Sequence, residues 1–124
     1  MFNRGFLYAD GFFETVRISF GIPQNIDLHW NRITASLAAH RIDNHQRLTA
    51  QVLFDAVQKL CNHNGIDKGG RVRITFFREG GGRYRPESSG MSWLATSESL
   101  PENEWLTASK GLAVDVFDGM KKLI

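Results

Sequence analysis

The chain has 124 residues, of which 42% are hydrophobic and 23% charged, and a formal net charge of +2. This length and apolar content predict one domain with its own core, since such a chain buries about two-thirds of its unfolded surface. The small net charge excludes the strong basic excess of a dedicated nucleic-acid binder. One cysteine excludes an internal disulfide framework. No signal peptide and no apolar run of ~20 residues are visible, so we expect a cytoplasmic protein without membrane contact.

The first predicted element is a strand over residues 12–20, which a turn at residues 21–23 ends. Its aromatic and β-branched content favours a strand, and its side chains alternate between two faces. The alternation predicts one face with Glu14, Val16, Ile18 and Phe20 and an opposite face with Phe13, Thr15, Arg17 and Ser19.

Two amphipathic helices are predicted next. The first has Asp27 as its N-cap and runs to about His40, and the second opens at Thr49 and ends at Asn64-Gly65. Cys61 falls within the apolar pattern of the second helix, which predicts a buried, inert thiol. Helical spacing predicts the buried positions Trp30, Ile33 and Leu37 in the first helix and Leu53, Val57 and Leu60 in the second.

Three strands complete the predicted fold, over residues 71–78, 91–96 and 112–117. In the first of these, Val72, Ile74 and Phe76 share one face. A strand, two helices and three further strands predict an α+β domain, with a small antiparallel or mixed sheet and two helices packed on one face. Residues 119–124 form no recognisable terminal element, so we expect that the chain is cut at a domain edge.

Two groups of residues are candidates for binding an anion. In the first, His29 and Arg32 are one helical turn apart near a predicted helix start, and Ser36 follows one turn later. Backbone N–H groups at a helix start and an arginine fork favour phosphate. An ordinary solvated face is the alternative.

The second group contains five arginines around a glycine-rich loop at residues 79–82. Planar guanidinium groups suit carboxylates, because both carboxylate oxygens are bound at once. A strand with exposed arginines is one alternative, and a single-strand nucleic-acid-binding module with stacking aromatic residues is another. The module would use Arg71, Arg73, Arg78, Arg83 and Arg85 with Phe76, Phe77 and Tyr84, but the sequence lacks the aromatic RNA-binding strand motif.

Three segments in order along the chain carry a family resemblance. Residues 3–17 read NRGFLYADGFFETVR, residues 29–33 read HWNRI, and residues 78–84 read REGGGRY. They are similar to D-R-G-F-x-Y-G-D-G-x-F-E-T-x-R, H-x-x-R-L and R-G-x-G-G-R-G-Y. The first two motifs are typical of class IV aminotransferases, which depend on pyridoxal phosphate, and the third is typical of the aminodeoxychorismate lyases of that family.

The resemblance implies that residues 1–124 form the amino-terminal domain of a D-amino-acid aminotransferase-like fold. Arg32 matches the family arginine that binds the cofactor phosphate, and Tyr8 and Phe13 match residues that wall the substrate pocket. The departures from the motifs are Ala9 and Glu79, which stand where the family has glycine.

The resemblance leaves the substrate open among three subfamilies. Arg73 takes the place of a pocket arginine of branched-chain aminotransferases, Arg78 that of the carboxylate-binding arginine of D-amino-acid aminotransferases, and Arg83 that of the substrate-binding arginine of aminodeoxychorismate lyases. The loop at residues 78–84 favours 4-amino-4-deoxychorismate lyase, which releases pyruvate and leaves 4-aminobenzoate. A branched-chain or D-amino-acid aminotransferase is the alternative.

The resemblance also implies that the catalytic lysine, which forms the Schiff base with the cofactor, lies beyond Ile124 in a carboxy-terminal cofactor-binding domain. Lys121 and Lys122 lack the Lys-x-x-Asn-like context of that lysine, so we expect residues 1–124 alone to be inactive. The implied partners are a small-molecule substrate and a second subunit in a homodimer, with no nucleic acid, and no metal site is expected.

Overall fold

The structure is a computed structural model that describes residues 4–103 and 109–115. Within this part of the chain, three helices and four strands follow one another. In chain order they are α1 (Arg4–Tyr8), β1 (Gly11–Ser19), β2 (Ile22–Pro23), α2 (Ile26–Ala39), α3 (Ala50–His63), β3 (Gly69–Arg78) and β4 (Met91–Leu100).

The four strands form one antiparallel sheet in the order β2-β1-β3-β4. β3 is its central strand, because it pairs with β1 on one side and along its whole length with β4 on the other. β2 pairs only with Ile18 and Ser19 at the end of β1. The α+β fold with an antiparallel sheet is therefore confirmed.

One face of the sheet carries the core. Val16 and Ile18 from β1 and Ile74 from β3 are fully buried there, and α2 and α3 pack over them. The predicted alternation of β1 and β3 is confirmed over these positions. The helices contribute Ile33, Leu37, Leu53, Phe54, Val57 and Cys61, while Trp30 and Leu60 are partly buried at the edge of the core. The prediction of a buried Cys61 is confirmed.

Phe20 was predicted to continue the strand and share the face of Val16 and Ile18, but β1 ends at Ser19 and Phe20 is exposed. Its positive φ of 50° ends the pleat and begins the turn into β2. The predicted cap of α2 is also wrong. Asn25, in the left-handed conformation, precedes the helix, and Asp27 lies within the first turn. The caps of α3 are confirmed, since the Thr49 side chain accepts a hydrogen bond from the Val52 backbone N–H.

The predicted strand over residues 112–117 is wrong over 112–115, which form no strand, and Val116 and Phe117 lie outside the described residues. β4 runs on to Leu100 instead, because β3 offers a hydrogen-bonding partner as far as Gly69. The short elements α1 and β2 were not predicted, since neither is long enough for a periodic pattern. Among the helices described, none combines the length and apolar character needed to cross a membrane.

The turn between α1 and β1 constrains two small residues. Ala9 has a φ of 52°, in the left-handed region that favours glycine. Two residues later, a side chain on Gly11 would collide with the backbone carbonyl oxygen of Phe76 on the paired strand. Position 9 therefore holds an alanine in a backbone conformation that favours glycine, and position 11 requires glycine because it has no room for a side chain.

We expect Ala9→Gly to raise the free energy of unfolding by up to about 1 kcal/mol, because the strain of a left-handed alanine exceeds the added entropy of the unfolded chain. Gly11→Ala should lower it by about 1–3 kcal/mol through the collision with β3. Urea unfolding of the intact protein measures both. Ala35→Gly, at an exposed helical position of α2, is the control and should cost about 1 kcal/mol. An Ala9→Gly loss equal to that of the control would contradict the prediction.

Candidate functional site

The first part of the candidate site is built around Glu14, whose side chain is only 4% exposed on the core face of β1. His29 and Arg32 are one turn apart on α2 and both reach it. Arg32 Nε donates to Glu14 Oε2 over 2.8 Å, and Arg32 Nη2 donates to Oε1. His29 Nδ1 lies 2.7 Å from Oε1. The structure thus joins two residues predicted from sequence through a carboxylate that was not predicted as a site residue.

Burial raises the pKa of Glu14, but hydrogen bonds from Arg32 and His29, together with their charges, lower it below its ordinary value. The hydrogen bond and charge of Glu14 in turn raise the pKa of Arg32. Both groups are therefore charged at neutral pH, where they form an ion pair.

Arg32 faces outwards although its partner is buried. Its side chain is 66% exposed, and within the described residues no protein group accepts a hydrogen bond from Nη1. It is the seventh residue of α2, so it lies away from the helix start where phosphate binding by backbone N–H groups was expected. Ser36 is outside the cluster. The guanidinium itself is the group that remains able to bind an anion.

The second part of the candidate site is the opposite face of the sheet, which carries Phe13 and Arg73. Arg73 Cζ lies over the Phe13 ring, 3.6 Å from its centre, in a cation–π contact. Thr15 and Thr96 are the cross-strand neighbours of Arg73 on β1 and β4. A cavity of about 320 Å³ opens here, lined by Thr15, Arg71, Arg73, Thr96, Ser97 and Glu98.

The two arginines of this cavity differ in their partners. Arg71 Nε donates to Glu98 Oε2 over 2.7 Å, so its charge is compensated. Arg73 has no carboxylate partner within the described residues, and its contact with the Phe13 ring uses none of its N–H groups as donors to a protein oxygen. A carboxylate in the cavity would meet one uncompensated, pre-oriented arginine.

Arg78, another predicted site residue, is buried and fully engaged. It donates from Nε to Asp10 Oδ2 over 3.1 Å, from Nη1 to the carbonyl of Arg41 over 2.8 Å, and from Nη2 to the carbonyl of His40 over 2.7 Å. Each nitrogen therefore has a protein acceptor. This arginine connects the end of β3 to the end of α2.

Asp10 lies between two buried arginines. Arg4 Nε donates to Asp10 Oδ2 over 2.8 Å, while Arg4 Nη1 donates to the carbonyls of Gly81 and Gly82. Burial raises the pKa of Asp10, but hydrogen bonds from Arg4 and Arg78, with their charges, lower it below its ordinary value. The network joins α1, β3 and the glycine-rich loop.

The remaining predicted residues lie at the surface. Tyr8 is half-exposed, with Arg4 Cζ 5.1 Å from its ring centre, and Arg83 is exposed directly after the glycine-rich loop. No hydrogen bond or ion pair among the described residues joins Arg83 to Phe13 or Arg73. Asn3 of the opening motif, Lys121, Lys122 and Ile124 lie outside the described residues.

The nucleic-acid-binding alternative conflicts with the packing of this surface. Phe76, one of its stacking residues, is fully buried in the core against Phe12, with ring centres 5.1 Å apart. Arg78 has no free nitrogen. Two of the residues needed to contact bases or phosphates are therefore inaccessible.

Sequence reasoning missed Glu14 as a site residue, and it also missed the structural network that Arg4 and Asp10 form with Arg78. A signal for Glu14 was present, because the alternation of β1 places it on the same face as Val16 and Ile18. A carboxylate on an apolar face requires partners, and two polar residues at helical spacing nearby could supply them.

Comparisons with known proteins agree with this geometry. The profile of the family described as Amino-transferase class IV matches residues 11–116. No curated protein matches the sequence significantly. A candidate 4-amino-4-deoxychorismate lyase from Legionella pneumophila has a similar structure, with a TM-score of 0.64 and 17% identity over 79% of this chain and 35% of that one.

Two further solved structures are similar. A fold IV transaminase from Curtobacterium pusillum has a TM-score of 0.59 and 24% identity, over 81% of this chain and 33% of that one. A 4-amino-4-deoxychorismate lyase from Pseudomonas aeruginosa has a TM-score of 0.59 and 25% identity, over 80% of this chain and 34% of that one. The chain spans about a third of the length of each of the three.

The fold is found in fold IV aminotransferases. Because the family profile covers most of its length, the chain belongs to the class IV aminotransferase family.

We expect Asp10→Asn to lower the free energy of unfolding at pH 7 by about 2–4 kcal/mol, because two buried arginines lose their shared anion. The folded-state pKa of Asp10 is lowered, so its contribution is complete above the ordinary value of 3.8 and is lost as pH falls through the folded-state pKa. The variant should therefore lose less stability than the wild type on acidification below about pH 4.

Urea midpoints of the intact protein between pH 7 and pH 2 measure this difference. Asp55→Asn, at an exposed carboxylate on α3 whose one hydrogen-bond donor among the described residues is Gln51, is the matched control and should leave the profile unchanged. Parallel acid profiles for Asp10→Asn and the wild type would contradict the assignment of this network.

Proposed function

We propose that the chain forms part of the active site of a pyridoxal-phosphate-dependent 4-amino-4-deoxychorismate lyase, which releases pyruvate from its substrate and leaves 4-aminobenzoate. The observation that carries the proposal is the uncompensated guanidinium of Arg73, in contact with the Phe13 ring over a polar cavity. The substrate has two carboxylates, one on its ring and one on the side chain that is released as pyruvate. One suits the free edge of Arg73, and the other suits Arg83, which the family resemblance assigns to the lyase substrate.

The lining of the cavity favours this substrate over a branched-chain amino acid. Threonine and serine hydroxyl groups surround Arg73, with Glu98 and Arg71 beside it. A branched aliphatic side chain would leave these polar groups desolvated without partners, which opposes binding. A D-amino-acid aminotransferase is disfavoured for another reason. It would use Arg78 for the substrate carboxylate, and here each nitrogen of Arg78 already has a protein acceptor.

Arg32 fits the cofactor phosphate. Its exposed Nη1 edge has no protein acceptor within the described residues, and its charged state is stabilised by Glu14. A phosphate placed there would accept charge-assisted hydrogen bonds from the free edge. When bound, pyridoxal phosphate withdraws electrons from the bond to be broken in the substrate. Arg32 would hold the phosphate end, while Arg73 and Phe13 would orient the substrate.

By the same family resemblance, we propose that the lysine bound to the cofactor lies beyond residues 1–124 and that the whole protein is a cytoplasmic homodimer. Gel filtration with light scattering tests the subunit number. Mass spectrometry after borohydride reduction of the cofactor-loaded protein identifies the lysine, and modification of Lys121 or Lys122 would contradict its proposed position.

We expect Arg32→Ala to weaken the binding of pyridoxal phosphate by about 1.5–3 kcal/mol, the scale of hydrogen bonds to a charged group. Arg32→Lys should recover only part of the affinity, because a point charge lacks the planar fork. Titration of the intact apoprotein with the cofactor measures both variants. Wild-type affinity in both would show that Arg32 belongs to an ordinary solvated face.

We expect the intact protein to release 4-aminobenzoate faster than it transfers amino groups from branched-chain or D-amino acids to 2-oxoglutarate. Arg73→Ala and Arg83→Ala should each lower kcat/KM for the lyase reaction by about tenfold or more, because each removes a charged contact with a substrate carboxylate. Arg47→Ala, at an exposed arginine outside the cavity, is the control and should keep wild-type kinetics. Rapid transamination without 4-aminobenzoate would overturn the lyase proposal.

A further inference from the structure

We propose that Glu14 is a positioning residue for Arg32, and that His29 holds Glu14 in the orientation that this requires. In this arrangement, the capture of the cofactor phosphate depends on a buried carboxylate that does not contact the phosphate itself. The inference rests on the proposed function, since it assigns a purpose to the orientation of Arg32 only if Arg32 binds the cofactor.

The contact between Glu14 and Arg32 is side-on, which fixes the direction of the guanidinium. The two carboxylate oxygens accept from Nε and from Nη2, so one edge of the planar group is fully used. The other edge, with Nη1, is thereby turned away from the core and into solvent. A free arginine side chain samples many rotamers, and a bidentate contact removes much of this freedom before a ligand arrives.

His29 completes the support of the carboxylate. Its Nδ1 lies 2.7 Å from Oε1, the same oxygen that accepts from Arg32 Nη2, and its side chain is largely buried. Oxygen Oε1 therefore has two partners and Oε2 has one, which holds the carboxylate plane against rotation. His29 and Arg32 reach it from adjacent turns of one helix, so α2 and β1 fix the geometry together.

Packing alone does not account for a carboxylate at this position. Glu14 shares its face of β1 with the fully buried Val16 and Ile18, where an apolar side chain of similar size would avoid the desolvation of a charge. An ion pair between a buried acid and a largely exposed arginine contributes little net stability. The cost of removing the carboxylate from water offsets most of its attraction to an arginine that solvent still screens. What the pair does provide is a fixed direction for the free edge of Arg32.

The test compares the cofactor with its dephosphorylated form. Intact apoprotein is titrated with pyridoxal 5'-phosphate and with pyridoxal, and the ratio of the two dissociation constants gives the phosphate preference. Glu14→Gln keeps the size of the side chain but replaces one acceptor oxygen by an amide that cannot accept from Arg32 or His29. We expect it to lower the phosphate preference about tenfold, close to the effect of Arg32→Ala.

The double variant Glu14→Gln/Arg32→Ala separates positioning from a general structural effect. Once Arg32 is absent, loss of Glu14 should lower the phosphate preference no further, because residues that act as one unit are not additive. Asp10→Asn is the matched control. It also removes a carboxylate that accepts hydrogen bonds from two side chains, and it destabilises the fold, but it should leave the preference unchanged.

Variants of His29 keep the test decisive if Glu14→Gln fails to fold. In His29→Asn, the side-chain amide nitrogen can take a position close to that of the imidazole Nδ1 and can still donate to Glu14. In His29→Leu, a side chain of similar size has no donor. We expect His29→Asn to keep the wild-type preference and His29→Leu to lower it about threefold. Inorganic phosphate, without any cofactor, should protect the His29→Asn apoprotein against heat as well as it protects the wild type, and it should protect His29→Leu less.

The outcomes distinguish the inference from the proposed function. If Arg32→Ala leaves the phosphate preference unchanged, the assignment of Arg32 to the cofactor is wrong, and the inference is overturned with it. If Arg32→Ala lowers the preference but Glu14→Gln and His29→Leu do not, the positioning role alone is overturned. Multiplying losses in the double variant would also overturn it, since they would show two independent effects.

Discussion

The period-two alternation of β1 is the constraint on which both parts of the site depend. Neighbouring residues in a strand point to opposite faces, so Phe13 faces the open side of the sheet while Glu14 faces the core. One residue therefore supports the arginine of the cavity, and the next supports the arginine of α2. A shift of one position in register would bury the aromatic ring and expose the carboxylate, and both supports would be lost together.

The arginines of this small domain differ in function because they differ in burial and in hydrogen-bond partners. Arg4 and Arg78 are buried, satisfied by Asp10 and backbone carbonyls, and connect segments of the chain that are distant in sequence. Arg71 is exposed but paired with a glutamate. Arg32 and Arg73 are each oriented by one protein contact and keep one edge open. Only the last type combines a fixed direction with free donors, which is the property that an anion-binding residue requires.

Much of the fold could be predicted because the spacing of apolar residues along each strand and helix shows which residues share a face. The alternation around Val16 and Val72 predicted which residues share a face of each strand, and the helical spacing of Leu53 and Val57 predicted the buried side of the second long helix. The structure confirms these faces. The failures lie where periodicity ends. Phe20 leaves the pleat at a positive φ, and the extent of β4 depends on the length of its neighbour β3.

The candidate site, like the fold, could be predicted from the sequence only in part. The sequence by itself determined the residue types, the family motifs and the spacing that brings His29 and Arg32 to one helix face. Only the tertiary structure decided which arginines remain free, because that depends on partners far away in the chain. Arg78 is occupied by carbonyls at the end of α2, whereas Arg73 meets a phenylalanine ring across the sheet. Side-chain hydrogen bonds and stacking act over a few ångströms in space, and sequence separation does not encode such proximity.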